Sequence, residues 1–370
     1  MTGTEAYLAL LRAALWGDRL AGIDPASIDG QHLTEIMRLA ESQTTRGLVY
    51  DYLLRGGFPV PEEISAQMQR LLYQILNTHR KLDAVLARII SALQEAGIPC
   101  VLLKGQGVAS HYPNPLLREC GDIDLFIGPE RLEDAVRTLS PLADKTDDKL
   151  SGKHWQLWIG GTEIELHLYS MVPETRRLTR YFRTIEADGL SIGLVPLNFG
   201  GVSVYTPADT FNAFYLFYHA WHHFAGKGIG FRHLCDWVRL LHVRRESIDR
   251  TRLLEMLKGM QLLGPWRLFG CIAVHDLGLP ETDFPFYDES SLPKSRRVLN
   301  LILSAGNFGR GAQHTRPRPK GYLAGKLFSL GGHFHRFLQV LSIAPADAFR
   351  TFHALFIGGI RRVFQDIFHR

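Results

Sequence analysis

VLLKGQG at residues 101–107 and GDIDLFI at residues 121–127 are the two stretches that decide the fold. The apolar run of the first stretch gives way to Lys104-Gly105, a pattern that predicts a short strand running into a tight glycine turn. Residues 106–112 then predict a short helix. Glycine between a strand and a helix lets backbone N–H groups approach an anion closely, and the start of a helix favours negative charge. The order of elements therefore predicts an anion-binding turn ahead of a second strand.

The second stretch carries two acids, Asp122 and Asp124, at alternate positions. Because side chains alternate along an extended chain, both carboxylates should point to one spot, while Ile123, Leu125 and Ile127 face a core. Two carboxylates held together repel each other unless a proton or a cation neutralises them, and Mg²⁺ is commonly held by carboxylates together with substrate phosphates. An Asp-x-Asp pair also occurs at solvated strand ends, so the surrounding residues decide between the two interpretations.

A third acid follows downstream. Two alternating runs flank Gly160-Gly161, which predicts a β-hairpin with a two-residue turn over residues 154–168. On its second strand Glu163, Glu165 and His167 share one face. If this strand lies beside the Asp-x-Asp strand, one of its carboxylates joins the pair. Three acids that hold two Mg²⁺ ions form an arrangement used for phosphoryl and nucleotidyl transfer.

Three motifs together resemble a known family. The patterns L-L-K-G-x-x-x-A, R-x-x-G-D-I-D-L and E-L-H, with a proline-containing loop between the first two, resemble those of the uncharacterised bacterial nucleotidyltransferases of the DNA polymerase beta superfamily. The resemblance covers residues 98–168 and weakens outside them. It implies that Gly105 belongs to the turn that holds the triphosphate, and that Asp122 and Asp124 bind both metals.

The same resemblance leaves the third acid and the phosphate contacts to be assigned. It implies Glu165 as the third acid, with Glu163 as the alternative on the same strand face. Gln106 stands where the family has a serine after the turn glycine, so the hydroxyl contact to phosphate must come from elsewhere or is absent. Lys104 and Arg118 are candidates because a cation is a good partner for phosphate, and the alternative for each is a solvated surface cation.

The composition is that of a globular protein with room for two or three domains: 370 residues, 46% hydrophobic and 21% charged. No apolar run is long enough to cross a bilayer, and the N-terminus lacks the basic-then-apolar pattern of a signal peptide, so we expect a cytoplasmic protein. The four cysteines are scattered without a C-x-x-C pair, which argues against a zinc ribbon. The net charge of +5 favours anionic ligands.

The predicted fold class is α+β, with a small mixed β-sheet between two helical regions. Residues 1–97 follow a helical pattern, which is clearest in the long helix that opens at Pro61-Glu62-Glu63. Residues 98–206 contain the predicted strands and form the expected nucleotidyltransferase core. Thr206-Pro207 is predicted to cap a further helix, and residues 207–370 are predicted to be a mostly helical domain.

A basic segment at residues 309–321 interrupts the C-terminal helical pattern and is predicted to be a loop, because it contains glycine and proline and little apolar content. Its charges are Arg310, Arg316, Arg318 and Lys320. No aromatic residue is interleaved to stack on bases, so a solvated loop is favoured over a nucleic-acid contact.

The residues His219, His222 and His223 form a competing constellation. On a helix His219 and His223 lie at i and i+4, a spacing that can bind zinc, and His233 or Asp236 could complete the site. No glutamate follows the first histidine as it does in zinc proteases. Three interpretations stay open: core histidines, contacts to the nucleotide or the acceptor, and a zinc hydrolase.

The function predicted from the sequence is Mg²⁺-dependent transfer of a nucleoside monophosphate from an NTP, with ATP as the default, to an acceptor hydroxyl with release of pyrophosphate. Two Mg²⁺ ions are expected. The acceptor is left open among a small molecule, a peptide and a protein, and nucleic acid is disfavoured. The alternative is a catalytically weak or silent scaffold of the same fold that binds nucleotide or a partner protein, which the missing serine favours.

Overall fold

The computed structural model describes residues 1–17, 23–147, 150, 152–307 and 321–368. Within these ranges the chain is mostly helical, with a seven-stranded mixed sheet in the middle and helices before and after it. The predicted α+β class is therefore confirmed. The predicted basic loop at 309–321 lies outside the described residues, except for its last residue.

The helices before the sheet are α1 (Gly3–Trp16), α2 (Gly30–Ser42), α3 (Arg46–Arg55) and α4 (Glu62–Glu95). α1 begins at a capping box, in which the Thr2 hydroxyl accepts the Glu5 backbone N–H and the Glu5 carboxylate accepts that of Thr2. The predicted long helix is α4, whose first turn carries two acids where the helix dipole favours them. The apolar residues of its second half lie in the core beneath the sheet.

The strands are β1 (Val101–Leu102), β2 (Asp122–Phe126), β3 (Lys145–Thr146), β4 (His154–Ile159), β5 (Thr162–His167), β6 (Val195–Phe199) and β7 (Val202–Thr206). Their order in the sheet is β3-β4-β5-β2-β1-β7-β6. β2 runs parallel to β5 and β1 runs parallel to β7, whereas the other neighbours are antiparallel. The connections contain α5 (Gln106–Ala109) and α6 (Leu132–Leu139). Apolar residues of α4 and α6 pack against one face of the sheet.

The turn between β4 and β5 depends on its two glycines. Gly160 and Gly161 have φ angles of 58° and 69°, and a two-residue hairpin turn with both φ angles positive strongly prefers glycine. The predicted hairpin is confirmed. Its register sets His154 opposite His167 and Gln156 opposite Glu165.

Thr206 does not cap the following helix, so that prediction was wrong. The residue ends β7, and its hydroxyl donates to the backbone carbonyl of Val195 on β6 at 3.2 Å. A β-branched side chain suits a strand, and here the pairing with β6 outweighs the capping preference. The next helix begins at Asp209 after Ala208, which supplies no side-chain cap.

The later helices are α7 (Arg176–Gly189), between β5 and β6, and then α8 (Asp209–Gly226), α9 (Phe231–Val243), α10 (Arg250–Gly259), α11 (Leu263–His275), α12 (Leu292–Ala305), Tyr322–Leu341 and Pro345–Phe368. The aromatic side chains of α8 are buried; the Phe217 ring, for example, lies 5.1 Å from that of Trp266 in an edge arrangement. Helices α1 to α3 share this apolar core with them. No helix in the described part of the chain is long and apolar enough to span a bilayer.

A buried ion pair joins the loop before β2 to α9. Arg118 donates from Nε and Nη2 to the two carboxylate oxygens of Asp236 at 2.8 Å and 2.7 Å. The Tyr112 hydroxyl donates to the same carboxylate at 2.7 Å. Both charged side chains are less than a tenth exposed. Because a buried charge is tolerated only when it is paired, this contact fixes the approach to β2 against α9.

Replacing Asp236 by alanine should lower the free energy of unfolding by about 3–5 kcal/mol, because Arg118 then stays buried without its counter-ion. Urea unfolding followed by circular dichroism measures the change. The control is Glu35→Ala, which breaks the surface pair with Arg38 at 2.7 Å and should cost less than about 1 kcal/mol. Equal losses in the two variants would contradict the structural role of the buried pair.

Candidate active site

The parallel pairing of β2 with β5 collects four carboxylates on one face of the sheet. Asp122 lies opposite Glu163, and Asp124 lies opposite Glu165. The residues between them, such as Ile123 and its partner on β5, are fully buried in the core on the other face. This is the alternation expected of strands with one apolar face. The structure thus brings the predicted Asp-x-Asp pair together with both candidates for the third acid.

Asp124 is the most buried of the four acids, with 1% exposure. Its Oδ1 lies 3.0 Å from the Lys104 ammonium and 2.9 Å from His167 Nε2. Burial works against the ionised form, but the charge of Lys104 and the hydrogen bond from His167 outweigh it, so the pKa of Asp124 is lowered. The carboxylate is therefore ionised in the folded protein.

The pKa of Asp122 is shifted in the opposite direction. The negative charge of Asp124, together with burial, raises the pKa of Asp122, and the positive charges of Lys104 and Arg232 oppose that rise. The two carboxylates repel each other at short range, which is why one pKa is raised while the other is lowered, and the position between them favours a positive charge. A divalent cation bound between them would remove their repulsion.

The two glutamates of β5 have different partners. Glu165 Oε2 lies 3.1 Å from His167 Nε2 and 3.4 Å from His154 Nδ1. Burial works against ionisation of Glu165, but the hydrogen bond from His167 and the positive charges of His167 and His154 together outweigh it and lower the pKa. Glu163 instead accepts a hydrogen bond from Gln156 at 2.6 Å, and burial raises its pKa. Glu165 is thus linked to Asp124 through the shared histidine, and the geometry supports it over Glu163.

The predicted turn lies beside these acids. Gly105 has a φ angle of +60°, and a side chain built there would come within 3.5 Å of the Asp122 carbonyl oxygen. The turn therefore packs closely against the start of β2, in a conformation that L side chains rarely adopt. Gln106 follows it as the first residue of α5 and is 1% exposed. Neither amide atom of Gln106 has a hydrogen-bond partner among the described residues.

Lys104 points its ammonium into the acidic face. Besides Asp124 it lies 3.3 Å from His219 Nε2 on α8. Burial disfavours its charge, but Asp124 and the other neighbouring acids outweigh that effect and raise the pKa of Lys104. The lysine is thus a cation held at the acids, not a solvated surface charge.

Arg118 has a different environment from the one predicted. Its guanidinium is occupied by Asp236, and its Nη1 lies 2.9 Å from Cys120 Sγ. Arg232, in the first turn of α9, is the arginine whose charge acts on Asp122. The sequence offered no local signal for Arg232, because α9 reaches the site only through the tertiary fold. A phosphate contact from Arg118 stays a prediction that would require it to leave a buried pair.

Two further residues near the acids were not singled out from the sequence. Tyr215 on α8 is fully buried, and its hydroxyl has no hydrogen-bond partner among the described residues. Burial raises its pKa, and Lys104 opposes that effect. Lys153, which donates to the Ser170 carbonyl oxygen at 2.8 Å, has its pKa lowered to about 8 by burial and by Lys104. Tyr215 could have been identified from the sequence by its i, i+4 spacing from His219, which places the two side chains on the same face of a helix.

The histidines of α8 contact one another and α9. The ring of His219 lies 4.5 Å from that of His223 and 5.7 Å from that of His233, nearly parallel to the latter. His222 instead pairs with Glu174 at 2.9 Å. In the described part of the chain, the group whose ligand atoms converge closely enough for a metal lies on β4 and β5, not on α8. The structure therefore does not favour the zinc site suggested for α8.

Comparison with known proteins gives one match. A family model described as an uncharacterised nucleotidyltransferase matches residues 29–277, which is more than half of the chain and includes the whole sheet. No curated protein and no solved structure matches the chain.

Replacing Gln106 by methionine should raise the free energy of unfolding by about 1–3 kcal/mol, because a buried amide without partners is removed at similar volume. Gln43 is a matched control: it is also fully buried, but it donates to the Ile302 carbonyl at 3.1 Å and accepts the Phe231 N–H at 3.1 Å. Gln43→Met should therefore lower the stability by a similar amount. Urea unfolding of both variants is the measurement, and a loss of stability in Gln106→Met would contradict the unpartnered amide.

Proposed function

Because the chain belongs to the uncharacterised nucleotidyltransferase family, we propose that it transfers a nucleoside monophosphate from an NTP to an acceptor hydroxyl and releases pyrophosphate. The observation that carries the proposal is the register of β2 with β5, which pairs Asp124 with Glu165 next to Asp122 and the Gly105 turn. The resemblance of its motifs to those of nucleotidyltransferases of the DNA polymerase beta superfamily supports the same reaction. ATP is the first substrate to test.

The acidic face fits Mg²⁺. Carboxylate oxygens are the ligands that Mg²⁺ prefers, and the ammonium of Lys104 already lies within 3.0 Å of Asp124, where positive charge is needed. Asp122, Asp124 and Glu165 would hold two ions. When bound, the ions supply charge stabilisation at the phosphates and lower the pKa of the acceptor hydroxyl, so that a separate general base is unnecessary.

The residues of the chain then have distinct tasks. Lys104 pairs with Asp124 in the structure. When a Mg²⁺ ion neutralises Asp124 instead, the Lys104 ammonium would be free to bind the triphosphate. The Gly105 turn brings backbone N–H groups close to a phosphate, and the unpartnered amide of Gln106 offers a donor in place of the serine. The acceptor oxygen attacks the α-phosphorus, the bond from that phosphorus to the bridging oxygen of the β-phosphate breaks, and pyrophosphate leaves while the hydroxyl proton passes to solvent.

An acceptor bound at the acidic face would lie near α8, because His219 of that helix lies 3.3 Å from the Lys104 ammonium. We propose a small molecule, a peptide or a protein as the acceptor class, and disfavour nucleic acid. Incubation of cell extract with the protein and labelled ATP, GTP, CTP or UTP, followed by mass spectrometry of the labelled product, would identify both substrates.

The alternative is a silent scaffold that binds nucleotide without transfer. Gln106 favours it, because this residue stands where the family has the serine whose hydroxyl contacts phosphate. Calorimetry with ATP and Mg²⁺, followed by a pyrophosphate assay in the presence of extract, separates the two functions. Binding with no pyrophosphate release would support the scaffold.

Asp122→Asn and Asp124→Asn should each reduce transfer by more than about 100-fold, since the loss of a direct metal ligand should exceed the 10- to 100-fold effect of an outer-shell partner. The measurement is pyrophosphate release, with circular dichroism to verify folding. The control is Asp134→Asn on α6, an acid that is 44% exposed and lies away from the acidic face, which should retain activity. Unchanged turnover in either of the two site variants would refute the assignment.

The choice between the two glutamates of β5 can be tested with a matched pair of variants. Glu165→Gln should reduce transfer by more than about 100-fold, because Glu165 lies opposite Asp124 and shares His167 with it. Glu163→Gln changes an acid on the same strand face that already accepts a hydrogen bond from Gln156, and it should retain most of the activity. A large loss of activity in Glu163→Gln with little loss in Glu165→Gln would instead assign the third acid to Glu163.

A further inference from the structure

We propose that His154, Glu165 and His167 form a binding site for a divalent transition-metal ion, and that Zn²⁺ is the ion that fits it best. Each of the three residues offers one ligand atom, and these atoms lie within 4.8 Å of one another. The proposal concerns metal binding alone and does not depend on nucleotidyl transfer. The proposed site shares Glu165 with the Mg²⁺ site but differs in its other two ligands, which are imidazole nitrogens.

The strand register brings these ligands together. His154 on β4 lies directly opposite His167 on β5, so both side chains project from the same face of the sheet. Glu165 precedes His167 by two residues and shares that face. The three ligands are thus carried by a hairpin whose two-residue turn fixes its register. A site built on paired strands is held more firmly than one built on loops.

The distances suit a small tetrahedral ion. Glu165 Oε2 lies 3.1 Å from His167 Nε2 and 3.4 Å from His154 Nδ1. An ion with bonds of about 2.0–2.1 Å to nitrogen and oxygen holds neighbouring tetrahedral ligands roughly 3.3–3.4 Å apart. The carboxylate oxygen therefore stands close to the required separation from both imidazole nitrogens. Metal binding would require His167 Nε2 to give up its hydrogen bond to Asp124 Oδ1, which is 2.9 Å long.

The ligand types select the metal. Imidazole nitrogens suit zinc and other first-row transition metals, whereas Mg²⁺ prefers oxygen and binds few protein ligands. Two histidines with one glutamate form a three-ligand set that keeps a fourth position open for water or substrate. Glu165 also belongs to the acidic face, so the ion would lie at its edge, next to Asp124. An oxygen of a bound phosphate or acceptor could take the open position.

Zinc binding to the full-length protein tests the proposal. The protein is treated with a chelator and titrated with Zn²⁺ by calorimetry in a large excess of Mg²⁺, and we expect one Zn²⁺ per chain that Mg²⁺ does not displace. His154→Gln should weaken binding by at least about 100-fold, because it removes a ligand rather than an outer-shell partner. His154 is 17% exposed, and glutamine keeps a polar side chain in its place. Circular dichroism verifies the fold.

His222→Gln is the matched control, because His222 also pairs with a glutamate, Glu174 at 2.9 Å, but on α8. It should leave Zn²⁺ binding unchanged. Zinc that binds equally well to wild type and to His154→Gln, or that Mg²⁺ displaces, would overturn the proposal. Asp122→Asn should reduce transfer by more than about 100-fold but keep Zn²⁺ binding, so failure of the metal proposal and failure of the proposed function give different results.

Co²⁺ provides a second test of the metal site, and it uses only the wild-type protein, so that the folding of a variant does not matter. Co²⁺ in a tetrahedral site with nitrogen ligands absorbs visible light strongly, whereas Co²⁺ surrounded by six oxygens absorbs weakly. Wild-type protein loaded with one equivalent of Co²⁺ should show the strong absorption and lose it when Zn²⁺ is added. A weak spectrum of the six-oxygen kind would overturn the proposal.

Discussion

The carboxylate of Asp124, held between Lys104 and His167, is the interaction on which the rest of the site depends. A buried carboxylate is tolerated only with compensating charge and hydrogen bonds, and here one partner comes from the turn after β1 and the other from β5. Asp124 therefore ties together three segments that are separated in the chain. The same contacts help to hold four acids on one face, because Lys104 supplies positive charge at the most buried of them.

The features that the sequence predicted correctly obey local rules. Alternation of side chains was enough to assign Asp122 and Asp124 to one face and Ile123 to the core, and the sheet has this arrangement. Gly160-Gly161 was enough to predict the hairpin, because a turn with two positive φ angles leaves few other residue types. The long helix α4 followed from the spacing of its apolar residues. Each of these inferences needs only neighbours within a few positions.

The features that the sequence did not reveal depend on contacts between distant segments. Arg118 resembled a phosphate ligand because it stands close to Asp122 in the chain, but its partner Asp236 is supplied by a helix more than a hundred residues later. Arg232 and Tyr215 approach the acids for the same reason, through the packing of α9 and α8. Thr206 had the residue type of a helix cap, and pairing with β6 decided its conformation instead. A residue's local conformational preference is overridden where the tertiary fold offers its side chain or backbone a more stable partner.

Gln43, at the end of α2, has a consequence for how the chain can be divided. Its amide bonds to the carbonyl of Ile302 on α12 and to the N–H of Phe231 on α9, and Trp16 on α1 donates to the carbonyl of Leu277 at 2.6 Å. The boundaries predicted at residues 97 and 206 stay predictions, but the first helices are bonded to the last third of the chain. A fragment that began at the sheet would leave these backbone groups without partners and expose the shared apolar core. The N-terminal helices are therefore part of the same folded unit as α9 and α12. Exchanging these helices between relatives would also require exchange of the residues of α9 and α12 that contact them.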